Sequence, residues 1–278
     1  MKFKITTLVD NTVGIGGSRD LIAEHGLAFL IETGMQSILF DTGQYMALEN
    51  NSRILGKDLA AIDTLVLSHG HYDHTGGLNQ LLVHNSDFSV YAHPDVFAPK
   101  LIKREGQYRK VGIPVSKDEL VKKGVTLRLN TAPVALDPDI MTTGEIPLMT
   151  NFETVAKGFF VEKDGRKEHD TMADDQALVL KTARGPVVVL GCCHRGIINT
   201  LRHVCKITGQ KRIYAVLGGL HLVKTTGERL ETIMQHLQRF DLERIVVGHC
   251  TGIHAFQALY ARFQGKVVLN TVAHTFSV

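Results

Sequence analysis

No apolar run in this chain approaches the ~20 residues needed to cross a bilayer. The opening MKFKITTLVDN also lacks the long apolar stretch of a secretory signal, so a cytoplasmic protein with no membrane association is expected. Tryptophan is absent, aromatics make up 6% of the chain and the formal charge is +3, which removes the electrostatic footprint of a nucleic-acid binder. Cysteine is scarce. Cys192, Cys193, Cys205 and Cys250 show no CxxC spacing, and two are adjacent, which is poor geometry for a disulfide framework and fits a reducing compartment. Repeats at a solenoid period and low-complexity tracts are missing too, while 44% hydrophobic residues exclude a disordered chain.

Histidine, by contrast, is plentiful: 14 copies in 278 residues. The pattern around these histidines is that of a layered α/β protein. Short runs rich in Val, Ile, Leu and Phe, each closed by turn residues, predict strands at 27–33, 37–43, 64–70 and 88–94, and again at 177–182, 186–193, 212–220, 244–250 and 266–270. Amphipathic stretches at 75–84, 195–207, 228–240 and 252–263 predict helices between them. Hairpin-like neighbours near the start and in the middle favour mixed over purely parallel sheets. The stretch 99–153 is basic, then interrupted by Pro114, Pro133, Pro138 and Pro147, and is expected to form a lid or insertion on a single domain spanning 1–278.

The densest chemistry is Ser68-His69-Gly70-His71-Tyr72-Asp73-His74, directly after the strand TLVL. In a strand-to-helix loop, His69 and His71 can converge on one cation, while Asp73 and His74 can reach a second. Imidazole and carboxylate donors suit Zn²⁺ first, with Fe²⁺ or Mn²⁺ as alternatives, and one or two ions are expected. His194, His221 and His249 each follow a buried strand, where α/β folds gather ligands; His194 and His249 are read as metal ligands, with His221 left between ligand and substrate contact. Cys193 and Cys250 neighbour proposed ligands but are read as small buried residues. The segment 14–18, Gly-Ile-Gly-Gly-Ser, is no complete phosphate-binding fingerprint and is read as a loop.

The motif His69-x-His71-x-Asp73-His74, with Asp41-Thr42-Gly43 before it and His194 and His249 after it, resembles the metallo-β-lactamase superfamily. That resemblance implies a four-layer αββα sandwich of two mixed β-sheets flanked by helices. It also implies one metal site from His69, His71 and His194, a second from Asp73, His74 and His249, and Asp41 as an anchor orienting a ligating imidazole. The phrases GHYDHTGGL, GCCHRGIINT, GGLHL, GHCTG, AEHGLAFLIE and TTGEIP are similar to the branch of metal-dependent hydrolases that includes dihydropterin ribofuranosyl-aminobenzene phosphate synthases. One departure stands out: the strand that carries a metal-bridging Asp in many superfamily enzymes ends here in Gly218-Gly219-Leu220-His221, and a neutral imidazole cannot bridge two cations. Either His221 is a terminal ligand or substrate contact, or the second ion is held more weakly, or a distant carboxylate such as Asp174 or Asp175 compensates.

Hydrolysis of a phosphorylated or ester-like small molecule by metal-activated water is the expected reaction, with Asp73 as proton acceptor and His221 as acid or electrostatic stabiliser. Alternatives are a pterin-related synthase of the methanopterin type and a metal-containing sensor or binding protein without turnover. Lys100, Lys103, Arg104, Arg109 and Lys110 of the basic stretch read first as a solvated face, with Arg104 and Arg109 as the candidates to meet an anionic substrate and His25 either at the mouth of the site or on the surface. The sequence carries no signal for oligomeric state.

Overall fold

The computed structural model describes residues 2–14 and 19–278; the 14–18 loop therefore falls, but for Gly14, outside the described residues. The chain divides into two compact units. The first takes in the chain up to Thr131 together with Ala156–Asp174 and Thr271–Val278; the second is Ala132–Val155 and Asp175–Asn270.

In chain order the first unit carries β1 (Lys4–Val9), β2 (Ala28–Glu32), β3 (Ser37–Phe40), β4 (Thr64–Val66), β5 (Ser89–Ala92), β6 (Lys100–Arg104), β7 (Gln107–Lys110) and β8 (Thr126–Leu129). The second unit begins with β9 (Val134–Asp137) and β10 (Ile140–Thr142). The chain then returns to the first unit for β11 (Phe159–Lys163) and β12 (Arg166–His169) before completing the second with β13 (Ala177–Leu180), β14 (Val187–Leu190), β15 (Ala215–Gly218), β16 (Arg244–Val247) and β17 (Val267–Leu269). Strand β18 (Thr275–Ser277) closes the first unit.

Each unit is built on a seven-stranded mixed sheet, in the order β18-β1-β2-β3-β4-β5-β8 and β17-β16-β15-β14-β13-β10-β9. In both, antiparallel neighbours at one end give way to parallel ones: β3, β4, β5 and β8 run parallel, as do β14, β15, β16 and β17. A parallel connection needs a crossover. The first unit supplies α1 (Ala47–Ile54), α2 (Tyr72–Thr75), α3 (Leu78–His84) and α4 (Lys117–Lys122), and the second α5 (Ile197–Thr208), α6 (Gly227–Leu237) and α7 (Ile253–Arg262). The central parallel strands β3, β4, β14, β15 and β16 are buried along nearly their whole length, which is why they read as continuous apolar runs, whereas the outer β8 and β17 are partly exposed.

Residues 99–153 do not form one separate body. β6 and β7 pair as a hairpin and join β11 and β12 in a four-stranded sheet, β8 extends the first large sheet, and β9 and β10 edge the second. Lys100 departs from its expected place among solvent-facing cations. It is 2% exposed, and its Nζ lies 2.8 Å from both Asp170 and Asp174. A buried ammonium stays charged only beside compensating carboxylates, and these two raise its pKa against the opposing effect of burial.

Two apolar cores follow from this arrangement. In the first unit Leu39, Leu65, Leu67 and Val90 of the sheet pack with Leu48, Leu78 and Leu81 of the helices. In the second, Val188, Val216 and Ile245 pack with Ile198, Leu201, Ile233 and Leu259.

Candidate metal centre

β3 and β4 are parallel neighbours, so their C-terminal ends lie side by side. Asp41 leaves β3 with a left-handed backbone, φ 58°, and is fully buried. Its carboxylate accepts from the Ser68 backbone N–H at 2.7 Å, from the Ser68 hydroxyl at 2.7 Å and from His74 Nδ1 at 2.7 Å. With its single proton given to Asp41, the Ser68 hydroxyl can only accept from His69, whose Nδ1 is 2.9 Å away. One buried carboxylate therefore fixes the tautomers of two imidazoles, leaving the Nε2 lone pairs of His69 and His74 as ligand positions.

Those lone pairs have partners of the right kind. His69 Nε2 and His71 Nδ1 are 3.0 Å apart. Two nitrogens on a tetrahedral cation with bonds of 2.0–2.1 Å would be about 3.3 Å apart, so the pair is spaced for one ion. His74 Nε2 and the Asp73 carboxylate approach to 3.8 Å, which suits a second ion. Burial holds the pKa of His71 down to about 3, against the opposing influence of Asp73, so its imidazole is neutral over the working pH range and offers a lone pair.

The loop reaches this shape because glycine allows close backbone contact. A Cβ on Gly70 would stand 2.2 Å from the Val96 carbonyl, and one on Gly77 would stand 2.1 Å from that of Thr42. The Gly70 N–H donates to Asp174 at 2.8 Å, and Asp174 is in turn paired with Lys100. Asp174 is thus committed to holding the loop. Asp175, the other candidate to replace a bridging carboxylate, accepts from the Arg195 backbone N–H at 2.9 Å.

In the second unit, the ends of β14, β15 and β16 are adjacent by parallel pairing. The turns beyond them carry His194, His221 and His249. His221 and His249 have left-handed backbones, with φ of 50° and 47°. The rings of His194 and His221 lie 4.1 Å apart between centroids, and His249 Nε2 is 3.4 Å from Cys192 Sγ. β14 ends at Leu190, so strand alternation no longer governs the following cysteines. Cys193 turns to the Thr200 hydroxyl at 3.3 Å; burial, then Asp175, pushes its thiol well up and leaves it inert. Burial acts the same way on Cys250, but the Cys192 thiol and the imidazoles of His249 and His221 outweigh it and bring that thiol well below its usual range. Cys192 and Cys250, not Cys193, are the sulfur donors beside the histidines.

The expected substrate contacts separate. His25 Nε2 lies 3.2 Å from Asp73 with its side chain 54% exposed, at the edge of the donor cluster. Arg104 and Arg109 are exposed on the β6–β7 hairpin, and Arg104 is near enough to Tyr72 to oppose the upward shift that burial and Asp73 impose on that phenol. Ser68 had no signal of its own in the sequence, since a serine before a histidine pair is indistinguishable from a turn residue. Lys100 was hidden among the cations of a basic stretch.

The model of the metallo-β-lactamase superfamily matches residues 21–156. A protein of Methanocaldococcus jannaschii described as 7,8-dihydropterin-6-methyl-4-(β-D-ribofuranosyl)-aminobenzene-5′-phosphate synthase is 33% identical over 94% of this chain and 92% of its own. Among solved structures, Tm1679, described as a metal-dependent hydrolase of the β-lactamase superfamily, superposes with a TM-score of 0.85 at 30% identity over 99% of both chains. Zn²⁺-bound PqqB of Methylobacterium extorquens shares the fold at a TM-score of 0.63 and 12% identity, over 99% of this chain and 100% of its own.

Proposed function

Because the chain belongs to the metallo-β-lactamase superfamily, on the branch of the dihydropterin synthase-like metal-dependent hydrolases, we propose that it hydrolyses a phosphorylated or ester-like small molecule with a metal-activated water. The observation that carries this is the Asp41–Ser68–His69 and Asp41–His74 hydrogen bonding, which spends a buried carboxylate on presenting imidazole lone pairs.

In the first unit, His69 and His71 would hold one ion and Asp73 and His74 the other, Zn²⁺ being the best match to the nitrogen and oxygen donors, and the resemblance to the superfamily implies His194 and His249 as their further ligands. A bound ion of this class lowers the pKa of its water toward 7 and polarises the oxygen of the scissile group. Asp73 would take up the proton that such a water releases, and the exposed His25, whose Nε2 lies 3.2 Å from that carboxylate, would be its route to solvent. Arg104, beside Tyr72 at the head of the motif helix, meets the substrate's anionic group, with Arg109 on the paired strand as the second cation.

A panel of phosphomonoesters, phosphodiesters, lactones and thioesters, assayed with Zn²⁺, Mn²⁺ and Fe²⁺, tests the reading. Metal-stimulated turnover of at least one class, abolished in His69→Ala, is expected. Turnover indifferent to chelation and to His69→Ala would refute it, and metal binding without turnover of any class would favour a sensor or binding protein. The synthase reading draws on the relative 33% identical over 94% of the chain. Product formation from a pterin and a phosphorylated aromatic amine, with the hydrolytic panel inert, would favour it.

A further inference from the structure

We infer that Cys192, Cys250 and His221 form a thiophilic metal site of their own within the second unit, taking a Zn²⁺-class ion through two thiolates and one imidazole. Among the described residues of that unit, each of the three offers a ligand atom, and these atoms all lie within 4.8 Å of one another. Ligand atoms on a tetrahedral zinc, with Zn–S of 2.3 Å and Zn–N of 2.0–2.1 Å, stand about 3.5–3.8 Å apart, so only small side-chain movements separate the present spacing from a filled site.

The backbone is shaped around the sulfurs. Cys250 Sγ accepts from the His221 backbone N–H at 3.3 Å, the type of contact that stabilises a thiolate, and it lies 3.6 Å from the Cys192 carbonyl. A Cβ on Gly219 would come within 2.5 Å of Cys250 Sγ and 2.7 Å of the Gly191 carbonyl, so only glycine lets this sulfur reach the space between the β14 and β15 turns. His221 holds a left-handed φ of 50° that a non-glycine residue adopts only when its surroundings impose it. Three adjacent parallel strands each contribute one donor: Cys192 after β14, His221 after β15, Cys250 after β16. Two sulfurs make the site softer than the nitrogen and oxygen set of the first unit, selecting Zn²⁺, Cd²⁺ or Co²⁺ over Mg²⁺ and Mn²⁺. Binding converts each thiol to thiolate and releases its proton to solvent. His221 is then a ligand, not an acid for the leaving group.

The test uses the full chain stripped of metal and titrated with Co²⁺. A thiolate-to-cobalt charge-transfer band is expected in the wild type and in Cys205→Ser, and is lost in Cys192→Ser/Cys250→Ser. It persists in His69→Ala/His74→Ala, a pair of changes that leaves the second unit intact. Folding of the serine variants does not limit the experiment, because alkylation of the wild type mapped by mass spectrometry gives a second readout. Three equivalents of Zn²⁺, enough to fill this site beside the two ions proposed above, slow modification of Cys192 and Cys250 by about tenfold while half-buried Cys205 is unaffected. Cobalt bound without a charge-transfer band, or unprotected Cys192 and Cys250, overturns the site. A band lost in His69→Ala/His74→Ala also overturns it, because the sulfurs would then need the first unit's donors. Failure of the hydrolase reading shows up separately, as absence of His69-dependent turnover with the band intact.

Discussion

Glu153 sits under the start of α5, the helix that follows His194 and Arg195, and it is 2% exposed. Its two carboxylate oxygens accept from the backbone N–H groups of Ile198 and Asn199 at 2.9 and 2.8 Å, in place of a side-chain cap that Gly196 cannot provide. Two physical effects oppose each other here. Hydrogen bonds from the helix N-terminus, with Arg229 and Arg202 nearby, favour the ionised carboxylate, while burial disfavours it; burial wins, and the pKa is raised from 4.5 to about 6. Between those values the folded protein binds more protons than the unfolded chain, so stability is fully present below pH 4.5 and is lost as pH rises through about 6. A gap of roughly one and a half pKa units corresponds to about 2 kcal/mol.

Glu153→Gln removes the titration and keeps one amide oxygen for the two N–H donors. Losing part of one hydrogen bond costs about 1 kcal/mol at every pH, an offset that does not alter the slope. Urea unfolding of both proteins at steps from pH 4 to pH 7, in chelator so that every metal ligand titrates alike in the two, isolates the difference. The wild type should lose about 2 kcal/mol relative to Glu153→Gln across that range. A flat difference, or a wild type that gains stability as pH rises, would refute the reasoning, since the helix N-terminus would then have outweighed burial.

Replacing Asp41 by Asn removes the acceptor that fixes the His74 tautomer, and a loss of about 10–100-fold in metal affinity, read by competition with a chromophoric chelator, is expected with little change in fold. Unchanged affinity would mean that His74 is not oriented through Asp41. Lys100→Met leaves Asp170 and Asp174 buried without their cation, and about 3–5 kcal/mol of stability should be lost near neutral pH in denaturant titration. Part of that loss should return in acid as Asp174, whose pKa burial raises, takes up a proton; no such return would mean that the unpaired carboxylate is not the source of the destabilisation. Gly70→Ala drives a methyl into the Val96 carbonyl and should disturb the metal loop directly, so metal affinity falls together with stability; an alanine variant that binds metal normally would show that the loop yields elsewhere.

How far the sequence could be read depends on which property each residue was selected for. The parallel strands β3, β4, β14, β15 and β16 announce themselves because both their faces are buried, and the apolar run needs no partner to be recognised. The hairpin strands β7 and β12, QYRK and RKEH, are exposed throughout and carry no alternation, so nothing local separates them from a basic loop; only pairing with β6 and β11 makes them strands. The same contrast divides the candidate site. His69, His71, Asp73 and His74 are legible because ligand types crowd into one loop, but the group that aims two of them, Asp41, lies across a strand pairing, and its coupling through Ser68 exists only in three dimensions. Lys100 is the sharpest case, a lysine in a cationic stretch that the fold turns inward to meet two aspartates about seventy residues downstream. Its charge is matched by those two carboxylates. Through Asp174 and the Gly70 N–H it anchors the backbone between two of the proposed ligands, so a residue that composition places on the surface shapes the metal loop.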